Sequence, residues 1–157
     1  MIRYGQIGGA PPVKLTVTKS SEMKEPAIII RCSEIDTTLR NIINYINLQS
    51  RVITTKQDGV LYRIPLVNVF FFESVNNKTY LHTDNDVILC SQKLYELEKE
   101  LEHTSFLRIS KSQILNLDYV QKVKTFFNGK YEATLTNDET IIISRHYVGQ
   151  FKEKMES

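Results

Sequence analysis

The sequence predicts a mostly β fold with short helices, of the α+β class, in a chain of 157 residues. Short runs of alternating apolar and polar residues, typical of half-buried strands, recur along most of the chain. Turn sequences separate these runs, and the strongest of them are Asn128-Gly129 and Asp84-Asn85-Asp86. Three stretches instead have the three- and four-residue apolar spacing of an amphipathic helix.

The spacing of these signals divides the chain into three parts. Residues 1–13 contain several glycines and prolines without any apolar period, and they predict a flexible arm. Residues 14–56 predict a small α+β element that is a candidate for a dimer contact, and residues 57–157 predict the main domain. The elements expected in the second part are strands at 14–17, 27–31 and 51–55 and a helix at 34–48 with Ser33 as its N-cap.

Strand patterns dominate the main domain as far as Cys90. A hairpin tip is expected around Asn76–Thr79, whose polar side chains suit either a solvent-facing turn or contacts to a polar partner. Residues 91–103 predict a helix, with Leu94, Leu97 and Leu101 on its apolar face. Its other face is rich in glutamate, so we expect this helix to pack on a sheet away from any nucleic acid.

Two further polar segments interrupt the last third of the chain. Arg108–Gln113 lies between two apolar runs and contains no acidic residue. Ser144 precedes the last helical stripe as a candidate N-cap, which would place Arg145 in the first helical turn. A cation is mildly unfavourable there, so Arg145 is either a surface arginine paired with a nearby carboxylate or a binding residue.

Composition and motif content exclude several classes of protein. The net charge of +2 is too small for a polycation, but residues 108–154 carry eight basic and five acidic residues. Cys32, Cys90 and the three histidines have no zinc-binding spacing, and no phosphate loop or catalytic set is recognisable, so we expect neither a metal, a cofactor nor an enzyme. Without an apolar run of about 18 residues or a signal peptide, a cytoplasmic location is expected.

The order and spacing of several segments resemble the LytTR-type DNA-binding domain over roughly residues 58–154. The segments that carry the resemblance are 64–74, Phe106–Asn116, Val120–Val123, Asn128–Tyr131, Ile142–Val148 and Phe151–Lys154. The resemblance implies an elongated antiparallel β fold whose loops enter successive major grooves of double-stranded DNA. It also implies a bacterial transcriptional regulator, without a small-molecule substrate.

The resemblance implies three DNA-facing loops, around Asn76–Thr79, Arg108–Gln113 and Ser144–His146. It assigns base contact to Arg145, since a guanidinium fork can span the two acceptors of a guanine. The residues expected to contact DNA are Asn76, Asn77, Lys78, Thr79, Arg108, Ser110, Lys111, Ser112, Lys130, Ser144, Arg145 and His146. Among them Arg108, Ser112, Lys130 and His146 are expected at phosphates.

Regulation and assembly are expected to follow the stand-alone members of this family. About 55 residues precede the resembling region, too few for a phosphoacceptor receiver domain. We expect a homodimer on direct-repeat sites, with a membrane protein as a candidate regulatory partner. The alternative function is a protein-interaction module that sequesters a regulatory or membrane partner. Its distinguishing property would be the absence of duplex binding.

Overall fold

The computed structural model describes residues 14–24 and 26–156 of the chain. Packing divides the chain into two units, residues 1–33 and residues 34–157. The arm predicted at residues 1–13 lies outside the described residues. The predicted division into an element at 14–56 and a domain at 57–157 stays a prediction.

The strands predicted at residues 14–17 and 27–31 are wrong, because the described part of the first unit forms neither helix nor strand. Ile28 and Ile29 are 67% and 76% exposed. A run of β-branched residues has a high strand propensity, but a strand also needs a neighbour that pairs with its backbone N–H and C=O groups. Among the described residues, none pairs with residues 27–31.

The described residues of the second unit, 34–156, form ten strands and three α-helices, which confirms the mostly β fold class with short helices. The helices are α1 (Thr37–Gln49), α2 (Leu94–Glu100) and α3 (Val148–Glu156). The strands are β1 (Val52–Gln57), β2 (Val60–Pro65), β3 (Phe71–Val75), β4 (Lys78–His82), β5 (Val87–Cys90), β6 (Phe106–Arg108), β7 (Gln113–Asn116), β8 (Val120–Thr125), β9 (Tyr131–Leu135) and β10 (Thr140–Ile143).

These strands form three antiparallel sheets. β1 and β2 make a hairpin, five strands have the order β5-β4-β3-β7-β6, and three have the order β10-β9-β8. The turn sequences determine much of this connectivity. Asn76 and Asn77 join β3 to β4 with φ angles of 49° and 62°, a left-handed pair that asparagine tolerates and that matches the twist of a two-residue hairpin.

The five-stranded sheet has a hydrophobic core on each face, since neighbouring residues of a strand point to opposite sides. Phe72 enters the first core with Leu97 of α2, while Phe71 enters the second with Phe151 of α3. Leu94, Leu97 and Leu101 are all buried, which confirms the predicted apolar face of α2. Burial of each such side chain contributes about 1.5–3 kcal/mol to folding stability, so packing stabilises both faces of the sheet.

Two predicted helix starts are wrong. α1 is capped by Asp36 rather than Ser33, and the Asp36 carboxylate accepts a 2.8 Å hydrogen bond from the backbone N–H of Leu39. Asp36 immediately precedes the first helical residue, where a cap must lie to reach the third N–H group. Ser144 precedes a 3-10 turn, Arg145–Tyr147, and makes no side-chain capping bond. The predicted position of Arg145 in the first turn of an α-helix is therefore corrected. Among the described residues, no helix is long and apolar enough to cross a membrane.

Candidate nucleic-acid interface

The β3–β4 turn and the loop between β6 and β7 lie at the same end of the five-stranded sheet. β3 pairs antiparallel with β7, with Glu73 opposite Gln113. β3 therefore ends where β7 begins. The backbone N–H of Ser74 donates a 2.8 Å hydrogen bond to the carbonyl oxygen of Ser112. This bond fastens the polar loop to the strand that leads directly into Asn76 and Asn77.

The segment after β10 is attached to the same loop. The backbone N–H of Ser144 donates a 2.9 Å hydrogen bond to the carbonyl oxygen of Ile109. Ile109 is two residues before Lys111, and Ser144 is one residue before Arg145. The structure thus brings together the three polar segments that the sequence places far apart along the chain.

The turn between β8 and β9 forms a fourth part of this end. Tyr131 pairs with Thr125 on one side and with Ile143 on the other. The turn that precedes Tyr131 therefore lies beside the segment that follows Ile143. The aliphatic part of Arg145 approaches Gly129 in this turn. Lys130, which follows it, has its ammonium 5.4 Å from the centre of the Phe127 ring.

Four cations at this end have no salt-bridge partner among the described residues. Within the part of the chain that the structure describes, the salt bridges are Arg108–Glu98, Lys124–Glu132 and His82–Glu73. None of them involves the four cations at the turns, which are Lys78, Lys111, Lys130 and Arg145. Since no carboxylate neutralises these groups, they create a local positive potential that attracts an anionic partner.

Exposure differs among the predicted contact residues. The side chains at the outer tips are exposed, and those closer to the sheets are half-buried. The exposed set is Asn76, Asn77, Lys78, Lys111, Ser112, Arg145 and His146, and the half-buried set is Ser110, Lys130 and Ser144. The Ser110 hydroxyl accepts a 3.2 Å hydrogen bond from the backbone N–H of Ser112, which shapes the loop that presents Lys111.

Thr79 and Arg108 differ from the other predicted contact residues in their burial and hydrogen bonds. Thr79 is 2% exposed and belongs to β4 beside Cys90. The Arg108 side chain is 15% exposed, and its Nε donates a 2.7 Å hydrogen bond to the carbonyl oxygen of Ser110. Arg108 also bonds the carbonyl oxygen of Lys111 and pairs with Glu98. It therefore holds the loop rather than projecting from it.

A lysine that the sequence analysis did not select lies at the first turn. The ammonium of Lys93 donates a 2.7 Å hydrogen bond to the carbonyl oxygen of Asn77. The carboxylate of Glu96 accepts a 2.7 Å hydrogen bond from the backbone N–H of Lys93, which fixes the start of α2. Because α2 is acidic overall, no signal in the sequence indicated that its N-cap residue reaches the hairpin tip.

A half-buried polar group supports the strands behind the turns. Glu73 accepts a 3.1 Å hydrogen bond from the side chain of Gln113, and its other oxygen lies 3.4 Å from Nε2 of His82. His82 also stacks on Phe71 at 4.0 Å. Burial lowers the pKa of His82, although the negative charge of Glu73 opposes that shift. The neutral imidazole is thus favoured inside this part of the fold.

One known protein family matches more than half of this chain. The model of the LytTr DNA-binding domain matches residues 59–156. The chain belongs to the LytTR family. It therefore carries a DNA-binding domain, and the resemblance found in the sequence is confirmed.

Relatives of known sequence agree with this assignment. An uncharacterized HTH-type transcriptional regulator of Staphylococcus aureus (strain NCTC 8325 / PS 47) is 29% identical over 145 residues, covering 91% of this chain and 98% of the relative. The sensory transduction protein LytR of Staphylococcus saprophyticus is 33% identical over 96 residues, covering 59% of this chain and 38% of the relative. The first relative matches this chain over nearly its whole length, and the second matches over little more than a third of its own length.

A solved structure supports the fold. The chain is similar to the LytTr DNA-binding domain of a Bacillus cereus protein named as a methyl-accepting/DNA response regulator, with a TM-score of 0.62 and 23% identity. The match covers 66% of this chain and 95% of the other.

In residues 34–156, strands separate every pair of α-helices, so no helix-turn-helix occurs there.

Proposed function

We propose that this LytTR-family chain recognises specific double-stranded DNA with polar turns that enter successive major grooves, and so regulates transcription. The observation that carries the proposal is the convergence of the Asn76–Asn77 turn, the loop around Lys111 and the segment around Arg145 at one end of two rigid sheets. Four cations without salt-bridge partners lie on these turns. Phosphate contacts from such cations supply most non-specific affinity for DNA.

Insertion of a helix is the common alternative way to contact bases, and the charges of α2 and α3 do not favour it. α2 contains three glutamates against a single lysine, and α3 contains two glutamates against two lysines. Carboxylates on a groove-facing helix would be repelled by the phosphates. The turns offer cations and amide groups instead.

Each proposed contact follows from chemistry and exposure. Arg145 is assigned to a base edge, because its planar fork can donate two hydrogen bonds to one guanine. Lys111 and the exposed residues of the first turn are the next candidates for base edges. Phosphates are assigned to Ser112, Lys130 and His146. Arg108 and Thr79 are removed from the proposed contacts, because the former braces a loop and the latter is buried.

The first test is duplex binding as a function of salt. A titration of random and selected duplexes should show that log Kd rises steeply with log salt concentration, as phosphate contacts require. Selection of bound sequences from a random oligonucleotide pool supplies the specific duplex. If the chain bound no duplex at any salt concentration, it would instead act as a protein-interaction module.

The second test separates base contact from phosphate contact. Arg145→Ala should reduce discrimination at one base pair by about 1–3 kcal/mol, whereas Lys130→Ala should weaken all duplexes about equally. Lys122→Ala is the matched control, since Lys122 lies on β8 away from the turns. An Arg145→Ala protein with unchanged sequence preference would remove that assignment.

Assembly is the remaining part of the proposal. We place the contact between two DNA-bound copies in residues 14–56, where Ile28, Ile29 and Tyr45 are more than half exposed. Sedimentation with and without a direct-repeat duplex tests this arrangement, and a monomer bound to each repeat independently would refute it. The cytoplasmic location, the absence of a receiver domain and the regulatory membrane partner stay predictions.

A further inference from the structure

Gly129 lies against the side chain that we assign to base contact. A Cβ atom on Gly129 would be 3.0 Å from Cδ of Arg145 and 3.2 Å from its Cγ. Contacts this short are rarely tolerated between a Cβ and another carbon, so a side chain at residue 129 would require Arg145 to move. The missing side chain of Gly129 therefore leaves the space along which the aliphatic part of Arg145 lies.

The backbone on both sides of this contact is fixed. Tyr131 pairs with Ile143, and the same register continued by two residues places Gly129 opposite Arg145. Ser144 is bonded to Ile109, and the backbone N–H of Tyr147 donates a 2.8 Å hydrogen bond to Ser144. Arg145 thus cannot retreat through a backbone shift without breaking these bonds.

The turn around Gly129 has a shape that only a few residues adopt. Asn128 and Gly129 have φ angles of 57° and 72°. Phe127 is 61% exposed beside them, and the Lys130 ammonium lies over its ring. The turn is therefore a defined surface against which the arginine rests, with a second cation held next to it.

We propose that Gly129 is a positioning residue, which directs the guanidinium of Arg145 towards a base edge because it lacks a side chain. This inference rests on the proposed function of Arg145. Two hydrogen bonds to one guanine need the fork within a narrow range of position and angle. A displacement of a few tenths of an ångström at Cδ is carried to the end of the side chain, where it opposes the bidentate contact.

The test is a double-mutant cycle between residues 129 and 145. The measured quantity is the Kd for non-specific duplexes divided by the Kd for the selected duplex. Gly129→Ala should lower this ratio about tenfold, a loss comparable with one base contact, and should leave non-specific binding unchanged. In the Arg145→Ala background the same substitution should have no further effect, because the displaced side chain is already absent.

Gly59→Ala is the matched control. Gly59 also has a left-handed backbone, with φ of 79°, but nothing lies within 4 Å of its added Cβ. It therefore reports the cost of backbone strain without an arginine contact. Gly129→Asn is the second variant if Gly129→Ala unfolds, since asparagine adopts left-handed angles more readily and carries the same Cβ.

The outcomes separate the two proposals. If Arg145→Ala lowers the ratio and Gly129→Ala does not, only the positioning role is overturned. If Gly129→Ala lowers the ratio equally in the Arg145→Ala background, Gly129 acts through another group and the inference is again overturned. An unchanged ratio in Arg145→Ala itself would overturn both the base contact and the positioning role.

Discussion

Nη1 of Arg108 lies 3.1 Å from Oε2 of Glu98, so a residue next to the polar loop is paired with the acidic helix α2. Nε and Nη2 of the same guanidinium donate hydrogen bonds to the carbonyl oxygens of Ser110 and Lys111. One side chain thus joins strand β6, helix α2 and the loop that presents Lys111. A cation in this position stabilises the loop and has few donors left for a phosphate.

The first prediction follows from this bracing role. Arg108→Ala should lower the free energy of unfolding by about 1–3 kcal/mol, because two loop carbonyls and Glu98 lose a charged donor. It should leave the slope of log Kd against log salt unchanged. Lys130→Ala should reduce that slope by about 1 with little effect on stability, because its ammonium is assigned to a phosphate. Urea denaturation and a salt titration measure both quantities.

Glu98→Gln is the control for Arg108→Ala. It keeps the side-chain volume and removes the ion pair, while the two bonds from Arg108 to the loop remain. Its effect on stability should therefore be the smaller of the two. A reduced salt slope in Arg108→Ala would show that the guanidinium contacts a phosphate after all.

The second prediction concerns Asn116, which is 1% exposed. Its amide nitrogen donates a 3.0 Å hydrogen bond to the carbonyl oxygen of Val69, and its oxygen accepts one from the Ser105 hydroxyl at 2.8 Å. In Asn116→Ala, the Val69 carbonyl and the Ser105 hydroxyl stay buried and lose these hydrogen bonds. The variant should therefore lower the free energy of unfolding by about 2–3 kcal/mol, measured by urea denaturation.

Asn137→Ala is the matched control for Asn116. The Asn137 side chain accepts a single 3.2 Å hydrogen bond from the backbone N–H of Glu139 at an exposed turn. Water can replace this bond, so the variant should lose less than about 1 kcal/mol. If both variants lowered the free energy of unfolding equally, the buried hydrogen bonds of Asn116 would have no special importance for stability.

Local signals in the sequence predicted most of the fold of the second unit. Asn128-Gly129 and the asparagine pair at the β3–β4 tip mark turns through their tolerance of left-handed angles, and the leucines of α2 mark its buried face. The strand predicted at residues 27–31 failed, because strand formation depends on a partner that propensity does not specify. Such a partner is a non-local property of the chain.

The candidate site was less predictable than the fold. Spacing alone identified polar loops, and only the family resemblance indicated that they converge. The bond from Ser144 to Ile109 links residues 35 positions apart, and that from Lys93 to Asn77 joins a helix to a hairpin tip. The contact between Gly129 and Arg145 had a usable signal, since the register of the β9–β10 hairpin continued past the strands places them opposite each other.

The third prediction is a pH dependence of stability from His82. Burial lowers the pKa of His82 in the folded state, so the unfolded chain binds a proton more readily. The stability that depends on neutral His82 is complete above about pH 6.5. It is lost as the pH falls towards the lower pKa that His82 has in the folded state. Thermal unfolding should therefore show decreasing stability below about pH 6.5, while the folded state is retained.

His82→Gln tests the assignment of this slope. Glutamine does not titrate, so the variant should lose the part of the pH dependence that comes from residue 82. His146→Gln is the control, because His146 is exposed and belongs to the proposed DNA contact instead. An unchanged slope in His82→Gln would assign the proton uptake to another group.

The fourth prediction concerns the contact between Lys93 and the first turn. The Lys93 ammonium bonds the carbonyl oxygen of Asn77 and lies 3.4 Å from its side-chain oxygen. The bond restrains an exposed turn, and Lys93 adds a positive charge beside the proposed DNA contact. Loss of this side chain should weaken binding through both effects.

Lys93→Met removes the charge and the bond but keeps most of the side-chain length. We expect about a 3- to 10-fold loss of affinity for every duplex, because the added charge acts on phosphates rather than on bases. Lys99→Met is the matched control, since Lys99 lies in the last turn of α2. If both variants lose affinity equally, the effect is that of net charge alone. If only Lys93→Met loses affinity, the restraint of the Asn77 turn by Lys93 contributes to DNA binding.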